Sequence, residues 1–187
     1  MYCNHALQKI TENSEIMLIS NHASNQLLAA TLCFEYFKKY QIDILILRGT
    51  TIFGPGLKKQ FIYDACLKII QNKNIFFGTG NEIRDYIYIN DFCDLINKVL
   101  NKDFKGFKII NVGTGKGIKL REIISYLKKK LDIKITPKFN KFGYKNNPMR
   151  MVVNNKIAKK LNWKPKIKFY DGLDNYIKWF KSDYYNG

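Results

Sequence analysis

Apolar residues in this sequence fall either in short continuous runs or in longer segments with helical spacing. The runs at residues 44–47 and 108–111 are typical of strands that are covered on both faces of a parallel sheet. Residues 24–39 are apolar on more than one side of a helix, which predicts a well-buried helix. Further strands are predicted at residues 75–77, 86–89 and 133–138, an extended segment at 149–153, and helices at 58–71, 91–100 (with Asp91 as its cap), 120–130, 154–161 and 171–180. This alternation of strands and helices predicts an α/β fold.

One glycine-rich segment has the composition of a phosphate loop. Gly113, Gly115 and Gly117 follow a predicted strand and precede a predicted helix, where backbone N–H groups can bind an anion. The segment lacks the Ser or Thr that completes a Walker A loop, and its third glycine comes one residue too early for a dinucleotide fingerprint. No such fingerprint occurs elsewhere in the sequence. We therefore interpret the segment as a tight strand-to-helix turn.

Length and composition favour one folded unit spanning residues 1–187. The chain is 46% hydrophobic, which is enough for a core and argues against disorder. No run approaches the roughly 20 apolar residues that span a bilayer, and the first residues do not form a signal peptide. The four cysteines are widely spaced, without a C-x-x-C pair, so reduced thiols and no structural metal are expected. We expect a cytoplasmic protein without a membrane partner.

The net charge of +17 raises the alternative that the protein is a basic module that binds nucleic acid or another polyanion without catalysis. The lysines, however, are spread along the whole chain, and Asn and Ile are also abundant, as an AT-rich coding sequence would produce. No helix-turn-helix, zinc finger or RNA-binding sheet motif is visible. Nucleic acid is therefore the less favoured partner.

Residues 78–91 carry the most informative arginine. A glycine-rich turn leads into Arg84-Asp85, and a short predicted strand follows. A guanidinium held at such a turn can donate two parallel hydrogen bonds to a phosphate, which a lysine cannot do. A surface arginine paired with a nearby carboxylate is equally consistent with this segment taken alone.

Six short motifs, including this arginine, occur in one order along the chain. They are Ile10-Thr11-Glu12-Asn13-Ser14, Leu47-Arg48-Gly49 with Gly54-Pro55-Gly56, Arg84-Asp85-Tyr86, Asn111-Val112-Gly113-Thr114-Gly115, Arg150 ahead of Val152-Val153-Asn154, and Leu161-Asn162-Trp163-Lys164-Pro165. Together they resemble the NAD-dependent epimerase/dehydratase family, the extended short-chain dehydrogenases that act on nucleotide sugars. The resemblance implies a partial Rossmann-like parallel sheet with a small C-terminal α/β substrate-binding lobe.

The resemblance implies a site for a nucleoside diphosphate sugar. Arg84 and Arg150 match the two arginines that grip the diphosphate in the family. Thr51, Phe53 and Tyr86 match positions that line the sugar-nucleotide cleft. Family members often carry Asn and Tyr where this sequence has Thr51 and Phe53.

The resemblance also implies what this sequence lacks. Met1-Tyr2-Cys3 resembles the V-Y-G that follows the family's catalytic Ser or Thr, so the glycine loop that binds NAD is expected to be absent. The family's catalytic Tyr and Lys positions hold His22 and Gln26. Glutamine carries no charge that tunes a neighbour's pKa. Imidazole can move a proton near neutral pH, but without a nicotinamide there is no hydride to exchange.

These losses predict a truncated relative that has no catalytic residue, binds no NAD by itself and is inactive alone. Such a chain would expose a sheet edge and apolar faces that the missing half covers in the family. The chain would then be either a decayed gene product or one half of a split enzyme. A partner chain that supplies the cofactor half, or a homodimer, would cover the exposed surfaces.

Overall fold

The computed structural model describes residues 9–16, 21–140 and 148–186. Within these residues the helices are α1 (Asn21–Tyr40), α2 (Gln60–Ile70), α3 (Ile89–Leu100), α4 (Leu120–Leu131), α5 (Lys156–Lys160) and α6 (Phe169–Asn186). The strands are β1 (Ile44–Gly49), β2 (Thr51–Phe53), β3 (Ile75–Phe77), β4 (Ile83–Arg84), β5 (Tyr86–Tyr88), β6 (Phe107–Val112), β7 (Ile118–Lys119), β8 (Lys138–Asn140) and β9 (Arg150–Met151). Met1-Tyr2-Cys3, which resembles the family's V-Y-G, lies outside the described residues.

The strands pair mainly in parallel, in several small sheets. β1 and β6 form the longest pair, in register from Ile44 opposite Phe107 to Gly49 opposite Val112. β2 pairs with β5 and β3 pairs with β8, both in parallel. β4 lies between β7, which is antiparallel to it, and β9, which is parallel to it. None of the described helices is long and apolar enough to cross a membrane.

Two apolar cores lie on either side of strand β5. The larger core joins α2, α4 and α6 around buried residues such as Ile123. The smaller joins α3, β6 and the turn at Trp163. Tyr86 and Tyr88 of β5 belong to the larger core, whereas Ile87 between them belongs to the smaller one. This alternation is the normal two-faced pattern of a strand, and it fixes the chain immediately after Arg84.

Two local predictions are wrong. The strand predicted at residues 133–138 starts only at Lys138, because its pairing with β3 begins where the Lys138 N–H donates to the Asn74 carbonyl. Asp91 does not cap α3, which starts at Ile89. Its carboxylate instead accepts hydrogen bonds from the Lys166 and Ile167 N–H groups and so holds the turn before α6.

Helix α1 is much less buried than its apolar pattern predicts. Of its 20 residues only Ala23 is buried. Large apolar side chains spaced four residues apart stay exposed to solvent: Leu28 (66%), Leu32 (59%), Tyr36 (48%) and Tyr40 (54%). The prediction of a well-buried helix is therefore wrong for the described chain, because β1 covers one side of α1 and the described residues leave the opposite side open.

Candidate functional site

Arg84 is held at the centre of the small sheet formed by β7, β4 and β9. Its backbone pairs with Ile118 on one side and Met151 on the other. Its side chain is half-buried and donates a hydrogen bond from Nη1 to the Ile83 carbonyl, at 3.0 Å. Burial raises the pKa of the Tyr86 hydroxyl, and the positive charge of Arg84 opposes that rise.

Arg150 lies on β9, the strand next to Arg84. It pairs with Ile83, whereas Arg84 pairs with Met151, so the two arginines are one residue out of step. Because side chains alternate along a strand, their Cβ atoms point to opposite faces of the small sheet. The Arg150 side chain is half-buried over Gly117, and its Nε is buried without a hydrogen-bond partner among the described residues.

Asp85 is a buried carboxylate that joins three segments at this point. Its Oδ1 accepts hydrogen bonds from the Thr114 N–H (2.9 Å) and the Thr114 hydroxyl (2.6 Å). Its Oδ2 accepts from the Gly115 N–H (2.8 Å) and the Val153 N–H (3.4 Å). Burial raises the pKa of Asp85, and these hydrogen bonds act in the opposite direction. Asp85 thus anchors the residue after Arg84 to the β6–β7 connection and to the chain after β9.

The same contacts explain the glycine segment at residues 113–117. The Thr114 and Gly115 N–H groups, which a phosphate would need, donate to Asp85 instead. A Cβ on Gly113 would lie 2.6 Å from Val153 Cγ2 and 2.8 Å from Asp85 Oδ2, so glycine permits this close approach. These contacts agree with the interpretation of the segment as a structural turn.

The three predicted lining residues are placed differently from one another. Thr51 is half-buried on β2, opposite Tyr86 on β5, and its N–H donates to the Asp85 carbonyl. Phe53 and Tyr86 are each only 2% exposed, and their rings meet edge-on with centroids 5.9 Å apart. Phe53 and Tyr86 therefore form part of the core beneath Arg84, while Thr51 is the most accessible of the three.

His22 and Gln26 lie one turn apart on the same side of α1. Both are exposed, and Gln26 lines a cleft between α1 and the carboxyl end of β1, beside Arg48. The described residues contain no cluster of His, Cys, Asp and Glu that would hold a metal ion. The structure therefore places Arg84 and Arg150 on adjacent strands, with their side chains on opposite faces. Thr51 is next to them through the hydrogen bond from its N–H to the Asp85 carbonyl, and His22 and Gln26 lie elsewhere, on α1.

Sequence reasoning missed the role of the segment at residues 9–16. Ile10 forms a parallel bridge with Val153, and the Glu12 carboxylate accepts a hydrogen bond from the Asn111 N–H at 2.8 Å. The fully buried Asn111 side chain donates back to the Ile10 carbonyl at 3.4 Å. The only signal was the motif at residues 10–14, whose partners lie about a hundred residues away in the sequence.

Comparisons with known proteins agree with this architecture. A family model described as NAD dependent epimerase/dehydratase family matches residues 2–113. The chain is similar to UDP-glucuronate 4-epimerase of Thermodesulfobacterium geofontis, with 29% identity over 168 residues, covering 88% of this chain and 51% of that protein. It is also similar to a putative UDP-glucose 4-epimerase of Methanocaldococcus jannaschii, with 26% identity, covering 93% of this chain and 57% of that protein.

Solved structures share the fold. UDP-glucuronic acid 4-epimerase from Bacillus cereus, in complex with UDP-glucuronic acid and NAD, matches with a TM-score of 0.87 and 26% identity, covering 95% of this chain and 57% of that one. UDP-glucose 4-epimerase from Thermotoga maritima, with UDP-glucose, matches with a TM-score of 0.87 at 19% identity, covering 98% and 60%. The prediction of an α/β, partly Rossmann-like fold is confirmed. The chain spans about half the length of the curated relatives it matches.

Proposed function

This chain belongs to the NAD-dependent epimerase/dehydratase family, and from that membership we propose that it binds a nucleoside diphosphate sugar and is inactive alone. Arg84 and Arg150 bind the diphosphate, and Thr51 faces the sugar-nucleotide. Phe53 and Tyr86 are buried in the larger core and hold this region in place through their packing. The cofactor of the reaction, NAD, requires protein surface beyond the described chain.

The observation that carries this proposal is the position of the two arginines on adjacent strands, β4 and β9. Two guanidiniums can satisfy the several acceptor oxygens of a diphosphate with charge-assisted hydrogen bonds. Since the two side chains leave opposite faces of strands only two residues long, a diphosphate that touches both lies at the end of these strands. Asp85 keeps β4 fixed there through its four hydrogen bonds.

Inactivity follows from the residues on α1. The family's Tyr and Lys positions hold His22 and Gln26, and neither glutamine nor an exposed imidazole reproduces a lysine-tuned tyrosine. The residues of this chain therefore contribute substrate binding rather than the hydride step.

Isothermal titration with UDP-, GDP-, CDP- and dTDP-sugars tests the proposal, with NAD as a parallel titrant. Binding of one nucleotide sugar without NAD is expected. A charge-assisted hydrogen bond is worth about 1.5–3 kcal/mol, so Arg84→Ala should weaken binding by about 10- to 100-fold. Arg150→Ala should have a similar effect, and Arg84→Lys should recover only part of the affinity because lysine lacks the bidentate fork.

Lys73→Ala provides the control, since it removes one positive charge from an exposed turn after α2. It should leave binding unchanged. If no nucleotide sugar binds to the folded chain, or if Lys73→Ala matters as much as Arg84→Ala, the proposal fails. Affinity for nucleic acid that falls steeply with salt would then favour the polyanion alternative raised by the net charge of +17.

A further inference from the structure

Lysines are spread along the whole chain, but carboxylates are not. No Asp or Glu occurs between Asp132 and Asp171. The part of this stretch that runs from α5 to the start of α6 carries these lysines: Lys156, Lys159, Lys160, Lys164, Lys166 and Lys168. All of them are exposed, whereas Ala158 and Trp163 between them are buried. The positive charge of this segment therefore faces solvent without carboxylates of its own.

Two lysines of helix α3 extend the same surface. The Lys98 ammonium donates a hydrogen bond to the Asn162 carbonyl at 3.0 Å, and the Lys102 ammonium donates to the Leu161 carbonyl at 3.4 Å. An ammonium group has three donors, so each of these contacts leaves others for a ligand. These two lysines and those of residues 156–168 together form one surface, the basic patch.

Carboxylates neutralise little of the basic patch. Asp94 lies 3.6 Å from the Lys166 ammonium. The Asp91 carboxylate is buried and accepts hydrogen bonds from two backbone N–H groups. Asp103 pairs with Lys105, beyond the end of α3. Asp94 is thus the one carboxylate of the described chain that forms an ion pair with a lysine of the patch, and such an excess of positive charge attracts a polyanion.

The apolar side chains of the basic patch do not suit a membrane surface. Helices that lie in a bilayer interface bury an apolar face there. Ile157 is the most exposed large apolar residue of residues 156–168, at 38%. Leu100 is 80% exposed, but it is two residues from both Lys98 and Lys102 and therefore points to the other side of α3. The patch presents charge without an apolar face.

The aromatic side chains favour a duplex over a single strand. Proteins that bind single-stranded nucleic acid stack its bases on aromatic rings. Trp163 is 1% exposed, and its Nε1 donates to the Asp91 carbonyl. Tyr170, just beyond the patch, is 39% exposed and packs its ring against that of Tyr126, with centroids 4.6 Å apart. Lysines without a stacking platform contact phosphates, which a duplex presents on its outside.

We propose that the basic patch binds the phosphate backbone of double-stranded nucleic acid without sequence preference. The patch contains no arginine, and lysine is a point charge that lacks the fork with which arginine reads a guanine. The proposal goes beyond nucleotide-sugar binding and is independent of it, because none of these lysines belongs to the nucleotide-sugar site. It also gives the polyanion alternative a defined surface, which the net charge of +17 by itself does not.

Fluorescence anisotropy of a labelled DNA duplex, titrated with the purified full chain, tests the proposal. Contact with about five phosphates gives a slope of about −4.5 for log affinity against log salt, so affinity should fall by about 500-fold between about 50 and about 200 mM salt. Two duplexes of unrelated sequence should bind equally. The triple variant Lys159→Glu, Lys160→Glu, Lys164→Glu should weaken binding at least about tenfold and reduce the slope by about 2–3.

A second triple variant is the matched control. Lys73→Glu, Lys129→Glu and Lys134→Glu replace exposed lysines outside the patch and give the same net charge as the first variant. This control should weaken binding by less than about threefold and leave the salt slope unchanged. Replacing the three patch lysines by arginine instead of glutamate should retain the affinity, because the charge remains.

Several results would overturn the proposal. One is a chain that is folded by circular dichroism and binds no duplex at the lowest salt. Equal losses in both glutamate variants would show that net charge, and not this patch, attracts DNA. Tighter binding of the corresponding single strand contradicts the duplex, and binding to phosphatidylserine vesicles in place of DNA assigns the patch to a membrane.

Titration of the same samples with nucleotide sugars separates this proposal from the proposed function. The glutamate variant of the patch should bind a nucleotide sugar as the wild type does. Duplex binding without sugar binding refutes only the proposed function, and sugar binding without duplex binding refutes only the basic patch.

Discussion

Asp85→Asn should destabilise the protein more than any conservative change of an exposed carboxylate. Asparagine keeps one oxygen, which can still accept from Thr114, but its NH2 group then faces the Gly115 and Val153 N–H groups. A buried donor left without an acceptor costs about 1–3 kcal/mol. With two such donors, one of them only weakly bonded at 3.4 Å, the free energy of unfolding should fall by about 2–4 kcal/mol.

Urea unfolding followed by circular dichroism and tyrosine fluorescence measures this loss. Asp64→Asn is the matched control, because Asp64 is 54% exposed and only pairs with Lys68 one helical turn away. That pair should contribute about 0.5 kcal/mol or less. If Asp85→Asn costs no more than Asp64→Asn, Asp85 does not join the three segments as argued above, and the basis for a fixed Arg84 is lost.

Three further predictions concern the rest of the chain. Cys66 is fully buried, and burial raises the pKa of its thiol to about 12. Alkylation of the native protein, mapped by mass spectrometry, should therefore label the exposed Cys93 before Cys66, which should react only after unfolding. Early labelling of Cys66 would contradict its burial. Partial burial would raise the pKa of Asp174, but hydrogen bonds from Lys130 and Tyr126 outweigh it and lower the pKa. The stabilisation is therefore present above the ordinary pKa of 3.8 and lost as pH falls through the folded-state value. Asp174→Asn should accordingly lose less stability than the wild type in urea titrations taken from about pH 5 to about pH 2, and an equal loss would refute this. Gly113→Ala should lower the free energy of unfolding by about 1–3 kcal/mol in urea titrations, because the alanine Cβ would overlap Val153. An unchanged urea midpoint would contradict this prediction and show that the turn relaxes around the added methyl group.

Regular elements were the most predictable part of the fold. Continuous apolar runs correctly predicted β1 and β6, since such runs report directly on burial, and the helices predicted at residues 58–71 and 120–130 are confirmed as α2 and α4. The strands β4, β7 and β9 are two residues long and carry no period, so they exist only through tertiary pairing.

The burial of α1 could not be predicted from its own pattern. Periodicity shows which faces of a helix are apolar, but it does not show whether the described chain supplies the residues that cover them.

The sequence singled out Arg84 and Arg150 as candidate site residues, but it did not indicate the contacts that hold this region in place. Arg84 stands out because arginine is rare in this lysine-rich chain and follows a glycine turn. The contacts of Asp85 reach residues 29, 30 and 68 positions away, a distance at which sequence spacing carries no information. The burial of Phe53 and Tyr86 likewise depends on Phe169, which packs on both rings from α6.

The most direct test of the central claim is the titration of the purified chain with nucleotide sugars, run side by side for the wild type, Arg84→Ala and Lys73→Ala. The wild type and Lys73→Ala are expected to bind the same nucleotide sugar with equal affinity, without NAD, and Arg84→Ala is expected to bind it at least about tenfold more weakly. A folded wild-type chain that binds none of the four nucleotide sugars would contradict the account and leave the family membership as shared ancestry alone.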